Sequence, residues 1–139
     1  MTPARYVNPR TGQTWDAGTP LWRAPDDGGY VNLAPAAAFD AGCIERDVAS
    51  LWRYRGMLRI DAAPLTLGEG WTPLLPGRWA GREVFMKCEH IMPSGSFKDR
   101  GVAVMMAYLK GRGVSAVLED SSGNAGASVA TYAAAGAMQ

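Results

Sequence analysis

From residue 82 onward the chain alternates strand, helix, strand, helix, and that order leaves few folds open. Residues 82–90, REVFMKCEH, carry a strand-like apolar cluster. The loop Met92-Pro93-Ser94-Gly95-Ser96 leads into a helix over about 97–112. Its apolar stripe is Val102, Met105, Met106 and Leu109, and Gly111 and Gly113 end it. Ser96 can cap this helix, and Asp99, three residues on, completes a capping-box-like pair. Residues 114–119, VSAVLE, read as a short buried-type strand, and a small-residue helix follows from about 125 to 135, with Gly136 near its end. This is the opening of an α/β open sheet. Two strands and two helices cannot cover their own sheet, so the expectation is an incomplete open-sheet α/β fold, cut at Gln139 where the next strand is due.

The first half reads differently. Residues 1–42 are punctuated by turn formers, Asn8-Pro9, Thr11-Gly12, Ala17-Gly18 and Asp27-Gly28-Gly29, between short islands around Tyr6, Trp15, Trp22 and Tyr30-Val31. They predict a small β-rich appendage without a long helix. Residues 43–139 are expected to form the main unit. Its opening stretch, 44–58, has Ile44, Val48, Leu51, Trp52 and Leu58 at helix spacing, with Gly56 weakening the last turn. The Pro- and Gly-rich stretch 64–81 predicts an irregular loop.

Composition narrows the function classes. With 47% apolar and 19% charged residues, the chain has a globular rather than a disordered makeup. Its 14 basic and 13 acidic side chains leave a net charge of +1. Binding to nucleic acid or acidic membranes by bulk charge therefore has no support. Two cysteines, Cys43 and Cys88, and one histidine, His90, cannot build a disulfide framework or a four-ligand zinc site. The N-terminus lacks the apolar segment of a signal peptide, and no apolar run approaches the ~20 residues of a membrane helix. A reduced, cytoplasmic setting is the expectation.

Two segments carry chemistry. In Ser96-Phe97-Lys98-Asp99-Arg100-Gly101 a lysine falls in the first turn of a helix, directly after a Gly/Ser loop. The partial positive charge there repels an ammonium and favours the neutral amine, which is the nucleophilic form. A lysine that must condense with an aldehyde needs that setting. The plainer alternative is a surface lysine paired with Asp99 or Glu89. In Ser121-Ser122-Gly123-Asn124-Ala125-Gly126 a strand end meets a helix start, where ligands bind in open α/β sheets. Free backbone N–H groups, two hydroxyls and an amide make a receptor for anions and hydroxyls. Ordinary N-capping is the alternative. No GxGxxG or Walker sequence is present.

Together with LGEGWTPL at 67–74, these strings resemble the pyridoxal-phosphate enzymes of the tryptophan-synthase-β type (fold type II), and within them the threonine synthases. SLWRYRGML at 50–58 resembles the helix that precedes the motifs in that group. The resemblance is strong over 43–139 and weak over 1–42. It implies pyridoxal 5′-phosphate as cofactor, with Lys98 as the catalytic residue that bonds to the cofactor aldehyde carbon and later moves protons. It implies Phe97 beside the cofactor ring, Asn124 bonded to the ring oxygen, and Ser121 and Ser122 on the substrate carboxylate. The implied reaction converts O-phosphohomoserine and water to threonine and phosphate, so the expected partner is a small amino-acid phosphate.

A cysteate-synthase-like or dehydratase-like lyase, an inactive truncated fragment, and a half-domain that acts only when paired with another chain are the alternatives. The usual Asn-Pro-Thr-Gly before the lysine motif reads Met92-Pro93-Ser94-Gly95 here. Some relatives open with a cysteine-bearing zinc ribbon. Residues 6–33 keep room for its shape but not its cysteines, so no metal is implied. The family's glycine-rich loop for the cofactor phosphate lies far downstream and is not expected within these 139 residues.

Several other residues draw attention. His90, alone at a strand end, reads as structural, and Cys88 as packed. Trp52, Tyr54 and Trp71 read as core or domain-contact anchors. Glu69 either caps a turn or orients the active-site loop. An open half-sheet also predicts self-association through its edge and apolar face.

Overall fold

The computed structural model describes residues 4–139; the first three residues of the expected 1–42 appendage lie outside the described residues. Near the N-terminus β1 (Arg5–Val7) runs antiparallel between β2 (Thr14–Asp16) and β3 (Asn32–Leu33), with Tyr6 opposite both Trp15 and Leu33. Two tight turns flank this sheet. They close through Gly12 N to Asn8 O at 2.8 Å and Gly28 N to Ala24 O at 2.9 Å, and both glycines take the positive φ that such turns demand. Asp26 joins the turns by accepting from the Asn8 amide at 3.0 Å and the Thr11 hydroxyl at 2.6 Å. Among the described residues no group of three or more His, Cys, Asp or Glu side chains is placed to hold a metal.

The helix expected over 44–58 is broken. Single 3-10 turns span Ala41–Cys43 and Leu51–Tyr54, and only α1 (Arg55–Leu58) is α-helical. The cause is competition for backbone donors. Leu51 N donates to Glu69 O at 2.7 Å, and Glu45 N donates to Arg53 O at 2.8 Å. An uninterrupted helix would need the Leu51 donor for its own i−4 carbonyl, and Glu45 N folding back onto Arg53 O, eight residues on, shows that the chain reverses instead of continuing as one helix. Ser50 caps the restart, its hydroxyl accepting from Trp52 N at 3.2 Å. Trp52 is buried as expected, whereas Trp71 and Tyr54 are exposed.

The stretch 64–81 is not wholly irregular. β4 (Leu74–Trp79) pairs antiparallel with β5 (Arg82–Lys87), from Leu74 opposite Lys87 to Trp79 opposite Arg82. Ala80 and Gly81, with φ of 48° and 79°, form a two-residue turn of the kind that matches strand twist. Pro76 inside the strand hides it from a propensity reading, since proline lacks a ladder donor. The strand expected at 82–90 therefore forms, but in an antiparallel hairpin and not beside a parallel neighbour.

The core lies between α2 (Asp99–Gly111) and α3 (Asn124–Ala135). Ala103, Met106 and Ala107 of α2 are buried with Val129, Tyr132 and Ala133 of α3, and Leu51, Trp52, Ala62 and Met138 complete the cluster. The alanines let the two helices approach closely while Met106 and Tyr132, fully buried, fill the remaining volume. Each such large side chain contributes about 2 kcal/mol by removal from water.

Residues 114–119 lie outside any laddered sheet, contrary to the open-sheet expectation. Gln139 N donates to Ser115 O at 2.8 Å and Val117 N donates to Gln139 O at 2.6 Å. These two bonds flank Ala116 in the pattern of a single parallel pair. With one residue alongside, no continuous ladder exists, and Leu118 is 98% exposed. Both sheets among the described residues are antiparallel.

Candidate active site

The loop that enters α2 is set by local chemistry. Gly95, at φ 80°, donates its N–H to Met92 O at 2.8 Å, and the Ser96 hydroxyl accepts from Lys98 N at 3.2 Å. Lys98 then occupies the N-cap position of α2 in helical geometry, with no side-chain cap. The anticipated pairing of Asp99 with Ser96 is replaced by a longer reach. The buried Asp99 carboxylate accepts from Ser94 N at 2.8 Å and from the Ser94 hydroxyl. Ser94 closes the turn, so Asp99 is spent on the loop and not on the lysine.

Lys98 and Phe97 are exposed, with Nζ 4.8 Å from the Phe97 ring centroid. Among the described residues Lys98 makes no ion pair. No pair of Lys98 with Asp99 or Glu89 forms, and both carboxylates are engaged elsewhere. Glu89 receives Arg100 at two points, Nε to Oε2 at 2.7 Å and an Nη to Oε1 at 2.9 Å, and also the Thr72 hydroxyl at 2.5 Å. The hydrogen bonds from Arg100 hold the Glu89 carboxyl at about 2, well below the usual range.

The second segment enters α3. Asn124 is the first residue of that helix, and Gly123 stands at the N-cap with no side-chain cap. Asn124, Ser121 and Ser122 are exposed. Ser121 shapes the approach by accepting from Gly123 N at 3.2 Å, and its own N–H donates to Glu119 at 3.2 Å. A Cβ on Gly126 would stand 2.9 Å from the Ser121 carbonyl oxygen, so only glycine admits this close approach. The first N–H groups of α3 have no intrahelical acceptor and are available to an anion.

One bond brings the two segments to the same end of the helix pair. The Ser128 hydroxyl, in the second turn of α3, donates to Asp99 Oδ1 at 2.5 Å, and both residues are fully buried. Asn124 lies one turn before Ser128 on the same face, and Lys98 directly precedes Asp99. Sequence reading took Asp99 as a cap or as an ion-pair partner of Lys98, placed Ser94 only within its loop, and did not mark Ser128 or Tyr132. A signal was present, because Asn124, Ser128 and Tyr132 recur every four residues and so share a helix face.

Glu69 takes the turn-capping role, the first of the two readings. Its buried carboxylate accepts from Thr66 Oγ1 at 3.0 Å and Leu67 N at 2.9 Å, which closes the turn. It also accepts from the Tyr132 hydroxyl at 2.6 Å, which anchors that turn to α3. Burial, the hydrogen bond and the Glu69 charge together raise the Tyr132 phenol well above its usual range. Gly70 is required beside it, since a Cβ there would lie 2.6 Å from Leu51 N.

The profile of the family described as "Pyridoxal-phosphate dependent enzyme" matches residues 65–138. Curated relatives are threonine synthases. That of Methanosarcina acetivorans is 33% identical over 96 residues, covering 66% of this chain and 24% of its own. That of Mycobacterium leprae is 42% identical over 87 residues, covering 58% of this chain and 24% of its own. That of Halalkalibacterium halodurans is 40% identical over 97 residues, covering 61% and 27%. The chain spans about a quarter of the length of these relatives. No solved structure matches it.

Proposed function

The chain belongs to the pyridoxal-phosphate dependent enzyme family, whose cofactor is pyridoxal 5′-phosphate, and we propose that it supplies the lysine-bearing part of a threonine-synthase-like lyase. The proposed reaction takes O-phosphohomoserine and water to threonine and phosphate. The observation that carries the reading is the placing of an unpaired Lys98 and of Asn124 at the starts of two helices tied by Ser128 and Asp99. The donor set suits the cofactor. An exposed amine can condense with its aldehyde, and an exposed amide and the free N–H groups of a helix start can meet its oxygens.

When bound, the cofactor supplies an electron sink for the substrate carbons. Lys98 would hold it through Nζ, Phe97 would lie along its ring, and the Asn124 amide would donate to its ring oxygen. The Ser121 and Ser122 hydroxyls, with the N–H groups that open α3, would receive the substrate carboxylate. Lys98 Nζ, once released, is the base that moves protons at the substrate carbons. Asp99 does not compete for that amine, because Ser94 and Ser128 occupy its oxygens.

We assign residues 43–139 to the start of a catalytic domain of open-sheet α/β type and residues 1–42 to a small appended segment without metal. The Ser115 and Val117 bonds to Gln139 support the parallel strand order of such a sheet. No described helix is long and apolar enough to cross a membrane, and the reading places the protein in the cytoplasm.

Titration of the chain with pyridoxal 5′-phosphate, followed by visible absorbance, tests the binding. A saturable band lost in Lys98→Ala and shifted in Asn124→Ala is expected. A band of equal size in wild type and Lys98→Ala overturns the reading. Phosphate release from O-phosphohomoserine, compared with ammonia release from serine or threonine, separates a threonine synthase from a dehydratase.

A further inference from the structure

Residues 69–72 form a strap with an unusual backbone. Gly70 has φ 98° and Trp71 φ 47°, a conformation that a bulky residue rarely adopts unless its surroundings hold it there. Three anchors do so. Leu51 N donates to Glu69 O at 2.7 Å, the Tyr132 hydroxyl of α3 donates to the Glu69 carboxylate at 2.6 Å, and the Thr72 hydroxyl donates to Glu89 at 2.5 Å. A fourth bond leaves the strap in another direction. Gly70 N donates to Met92 Sδ at 3.2 Å. Among the described residues it is the one hydrogen bond between this strap and the 92–96 loop that precedes Lys98. A buried methionine is ordinarily packing material, and a thioether is a weak acceptor. Met92, however, is 4% exposed, and Gly70 N has no other acceptor among the described residues. The sulfur therefore satisfies a donor that would otherwise go unpaired.

Met92 passes this anchorage on to Lys98. Its backbone N donates to Glu89 O at 3.3 Å, and its carbonyl accepts from Gly95 N at 2.8 Å. With the sulfur bond, Met92 is held at three points and opens the turn from which Ser96 receives Lys98 N at 3.2 Å. Asp99 holds the middle of the loop through Ser94, and Met92 holds its first residue. Neither bond uses the Lys98 amine, so both fix its base and leave it free. Position 92 is also where the resembled enzymes usually carry asparagine. Asn Oδ1 and Met Sδ each lie two bonds beyond Cβ. An asparagine here reaches the same N–H with a stronger acceptor, and a leucine matches the bulk of methionine with no acceptor at all.

We propose that Met92 is a positioning residue for Lys98: by accepting from Gly70 N–H, its sulfur fixes the start of the loop that presents the amine. The acceptor, and not the bulk of the side chain, carries this role. Its effect on cofactor binding rests on the reading of Lys98 given above, whereas its hold on the loop does not.

The test compares the 139-residue chain with Met92→Leu and Met92→Asn in two arms. The first needs no cofactor: amide hydrogen exchange, read by NMR, at Gly70 and at Gly95 and Lys98 within the loop. Met92→Leu should speed exchange at Gly70 about threefold to tenfold, the range of one neutral hydrogen bond, and speed it at Gly95 and Lys98 as well. Met92→Asn should restore slow exchange at all three. The second arm titrates pyridoxal 5′-phosphate and follows the visible band. Met92→Leu should weaken binding about threefold to tenfold, and Met92→Asn should recover it. Met105→Leu, the same change at a half-exposed site on α2, is the control and should alter neither arm. Unchanged exchange at Gly70 in Met92→Leu would overturn the proposal. So would wild-type cofactor affinity in Met92→Leu, or Met92→Asn performing no better than Met92→Leu, which would assign the effect to packing. A wild-type chain without the band would end the reading of Lys98 instead, and exchange at Gly70, Gly95 and Lys98 would still decide whether Met92 holds the loop.

Discussion

The Ser128 hydroxyl donates to the Asp99 carboxylate at 2.5 Å, and this buried bond fixes the start of α3 against the start of α2. Everything proposed for Lys98 and Asn124 acts through that link, because each stands within one helical turn of one of its partners. Asp99→Ala would leave Ser94 and Ser128 without their acceptor. It is expected to cost about 2–4 kcal/mol, the range for breaking a buried hydrogen-bond network. Ser128→Ala should cost about 1–2 kcal/mol, since Asp99 keeps Ser94. Urea denaturation of the two variants checks the order. Equal stability of Asp99→Ala and wild type would remove the link from the argument.

Tyr132 gives an alkaline signature. Its phenol is raised above the ordinary 10.0 by burial first, then by the bond to Glu69 and the Glu69 charge. A group whose folded pKa is raised contributes stability that is fully present below the unfolded value and is lost as pH rises above it. Melting temperature should therefore fall above about pH 10, and less steeply in Tyr132→Phe. Part of the fall remains in that variant, because Tyr108 is also raised by burial and by Tyr6. Parallel melting curves for wild type and Tyr132→Phe across pH 9–11 would contradict the assignment.

Glu89 gives the acid counterpart. Arg100 lowers its carboxyl from 4.5 to about 2, so its contribution is present above 4.5 and is lost as pH falls toward 2. The pair is part-exposed, which limits its worth to about 1 kcal/mol. Glu89→Gln should be less stable than wild type at neutral pH, and the two should converge near pH 2. Thermal melts at pH 7, 4 and 2 would show a constant gap if Glu89 were not the titrating group.

Leu118 at 98% exposure and Phe85 of β5 at 70% leave apolar surface uncovered. Self-association that rises with concentration is expected, and Leu118→Lys with Phe85→Lys should suppress it. Sedimentation velocity across a concentration series reads the outcome. A single species, unchanged by concentration, would contradict it.

The sequence made some elements plain and concealed others for identifiable reasons. The α2 helix is legible because its apolar stripe repeats at helix spacing and glycines close it. The α3 helix is legible because alanine dominates it and Gly123 precedes it. The hairpin at 74–87 was concealed by Pro76 and by an Ala-Gly turn that lacks the strong Asn-Gly signature. The 44–58 helix failed because Glu69 O takes the Leu51 donor from outside the segment, a tertiary effect that no local pattern carries. At the candidate site the exposed residues Lys98 and Asn124 could be found from their strings. Of the buried residues that position them, Asp99 was legible as a capping residue, but its bond to Ser128, 29 positions away, is a contact that no local pattern specifies.

The chain has three lysines, Lys87, Lys98 and Lys110, which makes a direct comparison available within one molecule. Borohydride reduction of the chain incubated with pyridoxal 5′-phosphate, followed by peptide mapping, reports where the amine–aldehyde bond forms. Stoichiometric label on Lys98, with little on Lys87 and Lys110, is the expected result. Label spread evenly over the three, or concentrated on either of the others, would contradict the role of Lys98.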